Sequence, residues 1–382
     1  MTVITNIEDL RVLAQRRVPR MFYDYADTGS WTESTYRANE ADFDKILLRQ
    51  RVAVNLENRT TRTTMVGQPV AMPVAIAPVG LTGMQHADGE ILVARAAKRF
   101  GIPFTLSTMS ICSIEDVAQA TGNHPFWFQL YVMRDRGFIE RLIDRAKAAN
   151  CSALVLTLDL QIIGQRHKDL KNGLSAPPRL TLPNILNMMT KPRWCMAMLG
   201  TPRREFRNIV GHVKGVENMG SLSEWTSKQF DPALSWDDVE WIKKRWGGTL
   251  ILKGIQDVED ARLAVDTGAD AIVVSNHGGR QLDGAPSSIS ALPAIVEAVG
   301  HRIEVHMDGG IRSGQHVLKA MALGAKGTYI GRAMVYGLGA MGQAGVEAAL
   351  QIIHKELDLT MAFCGRTDIN TVDRSILLPG TF

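Results

Sequence analysis

From residue 73 onward, short apolar runs alternate with amphipathic stretches, and this rhythm leaves few folds open. The runs at 73–77, 104–108, 126–131, 153–159, 249–253, 271–275, 304–308 and 327–330 read as strands. Helical spacing falls between them at 89–100, 114–120, 137–150, 236–246, 257–267 and 317–323. Nearly continuous apolar strands separated by helices predict an α/β protein with a parallel sheet. Eight such units predict closure into a (β/α)8 barrel, and 382 residues suit one barrel domain with additions. An open doubly wound sheet is the alternative. It is weakened because no Gly-x-Gly-x-x-Gly follows the first strand.

Two segments fall outside the rhythm. Residues 1–60 read as an N-terminal helical segment: Asn6 as N-cap, Glu8 and Asp9 in the first turn, then Leu10, Leu13, Ala14 and Val18 before Pro19. A second short helix carries Met21, Phe22 and Tyr25 and ends near Gly29. Residues 160–234 hold no barrel strand and are too long for a plain loop, so a functional insert or lid is expected after strand four. There Arg179, Lys191, Arg193, Arg203, Arg204, Arg207 and Lys214 surround Trp194, Met196, Met198 and Leu199. Such a stretch, 177–215, can touch an anionic membrane surface or pack as a lid with a solvated basic edge. Without a long amphipathic helix, the lid is the favoured reading.

A net charge of +4 does not imply nucleic acid, and no such partner is expected. Cys112, Cys151, Cys195 and Cys364 lie far apart with no C-x-x-C pair, so free thiols and no metal site are expected. The first 20 residues lack an apolar core, and no run of about 18 apolar residues occurs. A cytoplasmic protein is expected, with a peripheral place on the inner face of the cell membrane as the option that the insert leaves open.

In barrels of this class, chemistry gathers at the C-terminal strand ends. Those ends carry Gln129 and Tyr131, Thr157 and Asp159, Lys253, Ser275 and His277 with Arg280 behind, Asp308-Gly309-Gly310 with Arg312, and Gly331-Arg332. A histidine can take a proton near neutral pH. An arginine can hold a carboxylate by two parallel bonds. On the glycine turn after strand six, His277 and Arg280 therefore suggest proton abstraction from an anionic substrate; an ordinary tight turn is the other reading. Glycines and cations after strands seven and eight suggest a phosphorylated ligand held by its tail.

The stretch Ser275-Asn276-His277-Gly278-Gly279-Arg280-Gln281-Leu282-Asp283 is close to a family signature. Gln129-Leu130-Tyr131, Thr157-Leu158-Asp159, Leu252-Lys253-Gly254, Asp308-Gly309-Gly310-Ile311-Arg312 and Ile330-Gly331-Arg332 follow in family order. On these the chain resembles the FMN-dependent α-hydroxy-acid oxidases and dehydrogenases, from Tyr23 to about Arg366, and its long insert is most similar to the bacterial L-lactate dehydrogenase branch. The resemblance implies FMN and oxidation of an L-2-hydroxy acid, foremost L-lactate. Glycolate, mandelate or longer-chain acids, or a non-catalytic flavin-binding barrel, are the alternatives. It implies His277 as base with Asp159 as its partner, and Arg280, Arg166 and Tyr25 on the substrate carboxylate. Tyr131 would hold the substrate hydroxyl, and Lys253 would face the N1/O2 edge of the flavin. The remaining flavin contacts would be Pro78, Val79, Gly80, Ser107, Gln129, Thr157 and Ser275, with Asp308, Gly309, Gly310, Arg312, Gly331 and Arg332 toward ribityl and phosphate. A quinone, a cytochrome or O2 would accept the electrons, and a homo-tetramer is implied. Three departures stand out: Val79 in place of the usual Thr, no proline in 160–163, and Met109 where glycolate oxidase has a large aromatic.

Overall fold

The computed structural model describes residues 3–174, 181–213 and 229–382. A hairpin of β1 (Thr63–Met65) and β2 (Gln68–Val70) comes before the barrel. Its turn residues Val66 and Gly67 both have positive φ, 44° and 76°, which gives the twist a two-residue hairpin needs. The hairpin covers the barrel end where strands begin. Val66 N–H donates to Glu304 at 2.8 Å, and Gln68 accepts from the Trp127 indole at 3.2 Å.

The barrel strands are β3 (Val74–Ile76), β4 (Thr105–Ser107), β5 (Trp127–Tyr131), β6 (Ala153–Thr157), β7 (Leu250–Ile255), β8 (Ala271–Val274), β9 (Glu304–Asp308) and β10 (Gly327–Ile330). They pair in the order β3-β10-β9-β8-β7-β6-β5-β4, all parallel. Ile76 nearly closes the ring, bridging to Phe104 and donating to the Pro103 carbonyl at 2.9 Å. Every expected strand is present, with shifted ends. The run at 153–159 is strand only to Thr157, and β7 continues past Lys253 through a register shift at Gly254.

Alternation sorts the side chains. Ala75, Trp127, Val155, Ile251, Val273 and Tyr329 fill the interior, whereas Leu106, Phe128, Leu154, Leu252, Ile272 and Met307 face the helices. Each such buried side chain stabilises by about 1.5–3 kcal/mol. The same period of two aims Ser107, Gln129, Tyr131, Thr157, Lys253 and Asp308 into one mouth. Tyr131, Thr157, Lys253 and Val273 share one level by register.

The N-terminal segment folds as α1 (Ile7–Arg17), α2 (Arg20–Ala26) and α3 (Ser34–Lys45). Asn6 and Asp9 form the reciprocal cap of α1. Helix α3 does not follow from the sequence pattern. Its N-cap, Glu33, is left-handed and its side chain gives the helix no cap. Instead Asp283, from the loop after β8, accepts from Thr32 N, Ser34 Oγ and Thr35 N at 2.7–3.0 Å. The C-terminal helices Arg332–Met341 and Gln343–Phe363 were also not anticipated.

The insert contains the helices His167–Lys171, Leu182–Met189 and Pro192–Gly200. Its inner side lies on the mouth: the Trp194 indole donates to the Met84 carbonyl at 2.9 Å and stacks on Phe22. Its basic residues are not one solvated edge. Arg203 pairs with Asp88 and Asp116 at 3.0 Å, Arg207 with Asp116 at 3.4 Å, and Arg204 bonds the Met198 and Leu199 carbonyls. Arg179 and Lys214 lie outside the described residues. Among the described residues, no helix is long and apolar enough to cross a membrane.

Gly310 gives a test of this packing. Its φ is +78°, and a Cβ there would sit 1.8 Å from the Asn39 carbonyl oxygen on α3. Gly268 has a similar φ, +74°, with open space around it. We expect Gly310→Ala to destabilise by about 3 kcal/mol or more, backbone strain plus overpacking. Gly268→Ala should cost about 1 kcal/mol. Denaturant unfolding of both variants measures the contrast, and equal losses would contradict it.

Candidate active site

The mouth encloses a cavity of about 350 Å³. Of the anticipated residues, Tyr25, Pro78, Val79, Gly80, Tyr131, Arg166, Lys253, His277, Arg280, Asp308, Gly309, Gly310, Arg312, Gly331 and Arg332 line it. Ser107, Gln129, Thr157, Asp159 and Ser275 stand just behind them. Met109 lines the cavity too.

His277 Nδ1 lies 2.9 Å from Asp159 Oδ1. With the proton on Nδ1, facing the carboxylate, Nε2 keeps its lone pair for a proton from the cavity. Burial pushes the Asp159 carboxyl up, but the charge and hydrogen bond of His277, then Lys253, outweigh this and hold it below its ordinary value. Gly254 makes room for Asp159: a Cβ there would come within 2.7 Å of the Asp159 side chain. His277 is left-handed at φ 59°, uncommon for a residue with a Cβ. Gly278 and Gly279 follow at 66° and 72°. The turn is held by His277 N–H to Ser275 Oγ at 3.1 Å and by paired amide bonds between Asn276 and Asn39, both 2.9 Å.

Two guanidinium groups share the Tyr25 ring. Arg280 lies 4.7 Å and Arg166 5.7 Å from its centre. Arg166 Nε donates to Asp169 at 2.5 Å. Among the described residues Arg280 has no carboxylate partner; it donates to the Tyr25 and Thr28 carbonyls at 2.6 and 3.2 Å. Burial first, then the charge of Arg166, lowers its pKa to about 10, so it remains cationic at neutral pH. Tyr131 is half-buried beside them, and desolvation, then Asp159, pushes its phenol up, keeping it a donor. The ring of Phe230 meets Tyr131 edge-on at 5.7 Å.

Lys253 Nζ contacts Asp308 Oδ2 and Ser275 Oγ, both at 2.9 Å. Burial pulls its pKa down, but Asp308 and Asp159 raise it above its ordinary value. One oxygen of Asp308, Oδ2, is thus taken by Lys253. Arg312 pairs with Glu40 at 2.7 Å. The Arg332 guanidinium is turned to the carbonyls of Ala26, Thr28 and Gly278 at 2.7–3.0 Å and stacks on Tyr36. What faces an anion here is the first turn of the helix Arg332–Met341, whose N-cap Gly331 offers no side-chain cap.

Among the described residues, the buried polar atoms without a hydrogen-bond partner include three around the mouth: Gln129 Nε2, Thr157 Oγ1 and Asp308 Oδ1. All belong to anticipated ligand residues, and buried polar atoms are normally satisfied. They fit a ligand with a polar, hydrogen-bonding ring edge. Sequence reasoning missed the apolar walls Leu160, Ile163, Leu174 and Phe206, and Tyr329 from the barrel floor. It also missed Asp169, although its i+3 spacing from Arg166 was a usable signal.

A family model for FMN-dependent dehydrogenases matches residues 14–379. The chain is 47% identical over 381 residues to an L-lactate dehydrogenase of Pseudomonas syringae pv. syringae, covering 98% of this chain and 99% of that relative. It is 45% identical over 380 residues to an L-lactate dehydrogenase of a Caulobacter species, covering 98% of each. The crystal structure of the monotopic membrane protein (S)-mandelate dehydrogenase superposes with a TM-score of 0.93 at 34% identity, covering 98% of this chain and 99% of that one. With motif order, barrel and cavity in agreement over almost its whole length, the chain belongs to the FMN-dependent dehydrogenase family.

Proposed function

We propose that the protein oxidises an L-2-hydroxy acid, foremost L-lactate, to the 2-oxo acid. The observation that carries this is one cavity holding a carboxylate-backed base, His277 with Asp159, beside two half-buried guanidinium groups, of which only Arg166 has a carboxylate partner among the described residues. Arg280 and Arg166 bind the substrate carboxylate, and the Tyr25 ring fixes their planes. Tyr131 donates to the substrate hydroxyl oxygen. His277 Nε2 takes the hydroxyl proton, and Asp159 stabilises the imidazolium that forms. FMN, when bound, would supply the oxidant, accepting the α-hydrogen with its bonding electron pair and later handing the two electrons to an acceptor.

The chain's own residues fit that cofactor. Gln129 Nε2 and Thr157 Oγ1 are available to its ring edge, with Ser107 holding Gln129 at 3.1 Å. Lys253, fixed by Asp308 and Ser275, keeps a positive charge against it. Pro78, Val79 and Gly80 give a wall, and Gly309, Gly310, Arg312, Gly331 and Arg332 form the end for its phosphate.

A second reading of the substrate has support of its own. Met109, Leu160, Ile163, Phe206 and Phe230 make the outer cavity apolar, which suits a longer or aromatic 2-hydroxy acid. A panel running from L-lactate to L-mandelate, scored by flavin bleaching, separates the two.

For the acceptor we favour a membrane quinone over a soluble carrier or O2. The outer side of the insert exposes Leu182, Leu186, Met189, Met196 and Leu199, with exposed Arg193 among them. Two short helices with this apolar face suit a peripheral hold on an anionic bilayer. A homo-tetramer on that surface completes the proposal.

In His277→Gln we expect FMN to stay bound while anaerobic bleaching by L-lactate slows by about a thousandfold. Near-normal bleaching would remove His277 from the mechanism. Asp159→Asn should slow bleaching by about a hundredfold or more, since the imidazolium loses its counter-charge. An unchanged rate would show the pair to be structural. Each apolar side chain buried in a bilayer contributes about 1.5–3 kcal/mol. The double variant Leu186→Glu, Met189→Glu should therefore lose co-sedimentation with phosphatidylglycerol vesicles and keep its rate with a soluble dye acceptor. Retained co-sedimentation would rule out this surface.

A further inference from the structure

The carboxylate of Asp27, just beyond the end of α2, is buried and lines no part of the cavity. It accepts from Tyr23 Oη at 3.0 Å, Tyr36 Oη at 2.9 Å and Tyr336 Oη at 2.7 Å. Arg11 adds bonds from Nε and Nη2 at 3.2 and 3.0 Å. So many donors on one buried carboxylate exceed what closing a short helix requires. Burial pushes this carboxyl up, but Tyr336 and Arg11, then Tyr36, hold it far below the usual range, so its charge persists.

The backbone of the same turn carries a second pattern. Four consecutive carbonyls each accept from a cationic side chain. Tyr25 O takes Arg280 at 2.6 Å, Ala26 O takes Arg332 at 2.8 Å, and Asp27 O takes Lys168 at 2.9 Å. Thr28 O takes Arg332 at 2.7 Å and Arg280 at 3.2 Å. Carbonyls at a helix C-terminus lack helical partners and carry the negative end of its dipole, so they suit cations. For Arg280 these carbonyls are its hydrogen-bond acceptors, and among the described residues no carboxylate pairs with it.

We propose that Asp27 is a positioning residue for the carboxylate clamp: by pinning the turn at the end of α2, it aims Arg280 and thereby sets affinity for the substrate carboxylate rather than the rate of proton removal. A shift of the turn moves the Tyr25 and Thr28 carbonyls together, and Arg280 with them. The His277 amide and ring have holds of their own, Ser275 Oγ and Asp159, while the carbonyls of the following Gly278 and Gly279 are tied to the α2 turn through Arg332 and Ser30 N–H. The inference rests on Arg280 being the clamp, and the test separates the two.

Asp27→Asn keeps the shape and removes the charge, and Tyr23→Phe removes one donor more gently. The FMN-loaded proteins are titrated with propionate, a lactate lacking the hydroxyl, by its perturbation of flavin absorbance. Bleaching at saturating L-lactate, FMN content and thermal unfolding are measured alongside. We expect Asp27→Asn to weaken propionate about tenfold, in line with loss of a charged hydrogen-bond network, and to leave saturated bleaching within about twofold. Tyr23→Phe should weaken propionate by about threefold, which keeps the test open if Asp27→Asn does not fold. Arg280→Lys should weaken propionate alone, and adding Asp27→Asn should weaken it less than the product of the two. If Arg280→Lys leaves propionate binding unchanged, the clamp reading fails. If it weakens binding while Asp27→Asn and Tyr23→Phe lower only thermal stability, or act in strict proportion with Arg280→Lys, Asp27 is structural and the inference is overturned.

Discussion

Positive charge buried at the barrel mouth is the constraint around which the rest of this structure is arranged. Lys253 has Asp308, Arg166 has Asp169, and Arg312 has Glu40. Among the described residues, Arg280 has only carbonyl oxygens and the face of Tyr25. An unpaired buried ion costs several kcal/mol, and dipoles offset only part of that. The deficit disappears when anions enter, and the proposed ligands supply a phosphate and a carboxylate. Binding is thus coupled to stability, since a ligand that binds only the folded chain stabilises it by mass action.

The stretch from Ser275 to Asp283 carries the chemistry and also ties three separate segments together. Asn276 bonds Asn39 on α3, and Asp283 caps that helix. Gln281 donates to the carbonyls of Asp159 and Ile162 at 2.8 and 2.9 Å and accepts from Gly164 N–H, fixing the start of the insert. Its left-handed turn would be costly on its own. These bonds hold the turn in place, so His277 and Arg280 reach the cavity in fixed positions. The polar residues around the base are therefore mostly structural, and the motif's length reflects how many segments it must hold.

The barrel was legible because a parallel sheet shows its period in local sequence. Ala271 to Val274 is apolar on both faces, and polarity appears at Lys253, late in its strand, and at Asp308, which ends its own. Helix α3 was illegible because its cap, Asp283, is 251 residues from Thr32. Phe206 and Phe230 were illegible as cavity walls because only the folded insert brings them back to the mouth. The destination of the Arg332 guanidinium, the carbonyls of Ala26 and Thr28, depends on how α2 docks. Local pattern reveals strand ends; it does not reveal which backbone oxygens an arginine reaches across about 300 residues.

The insert shows why charge counting misleads when folding has not been considered. Its sequence presents one basic, apolar-studded stretch, for which a lid and a membrane contact are competing readings. In the fold the two readings occupy opposite sides. Arg203 and Arg207 turn inward to Asp116, while Trp194 and Phe206 cover the mouth. Leu182, Leu186, Met189 and Leu199 remain outside on two short helices. No long amphipathic helix is needed, because packing of the inner side already fixes both helices, and tertiary contacts supply the order that a lone short helix lacks. A surface built this way places the cavity within one insert's thickness of whatever the apolar side meets, which is the geometry an enzyme needs if electrons leave through a lipid-soluble acceptor.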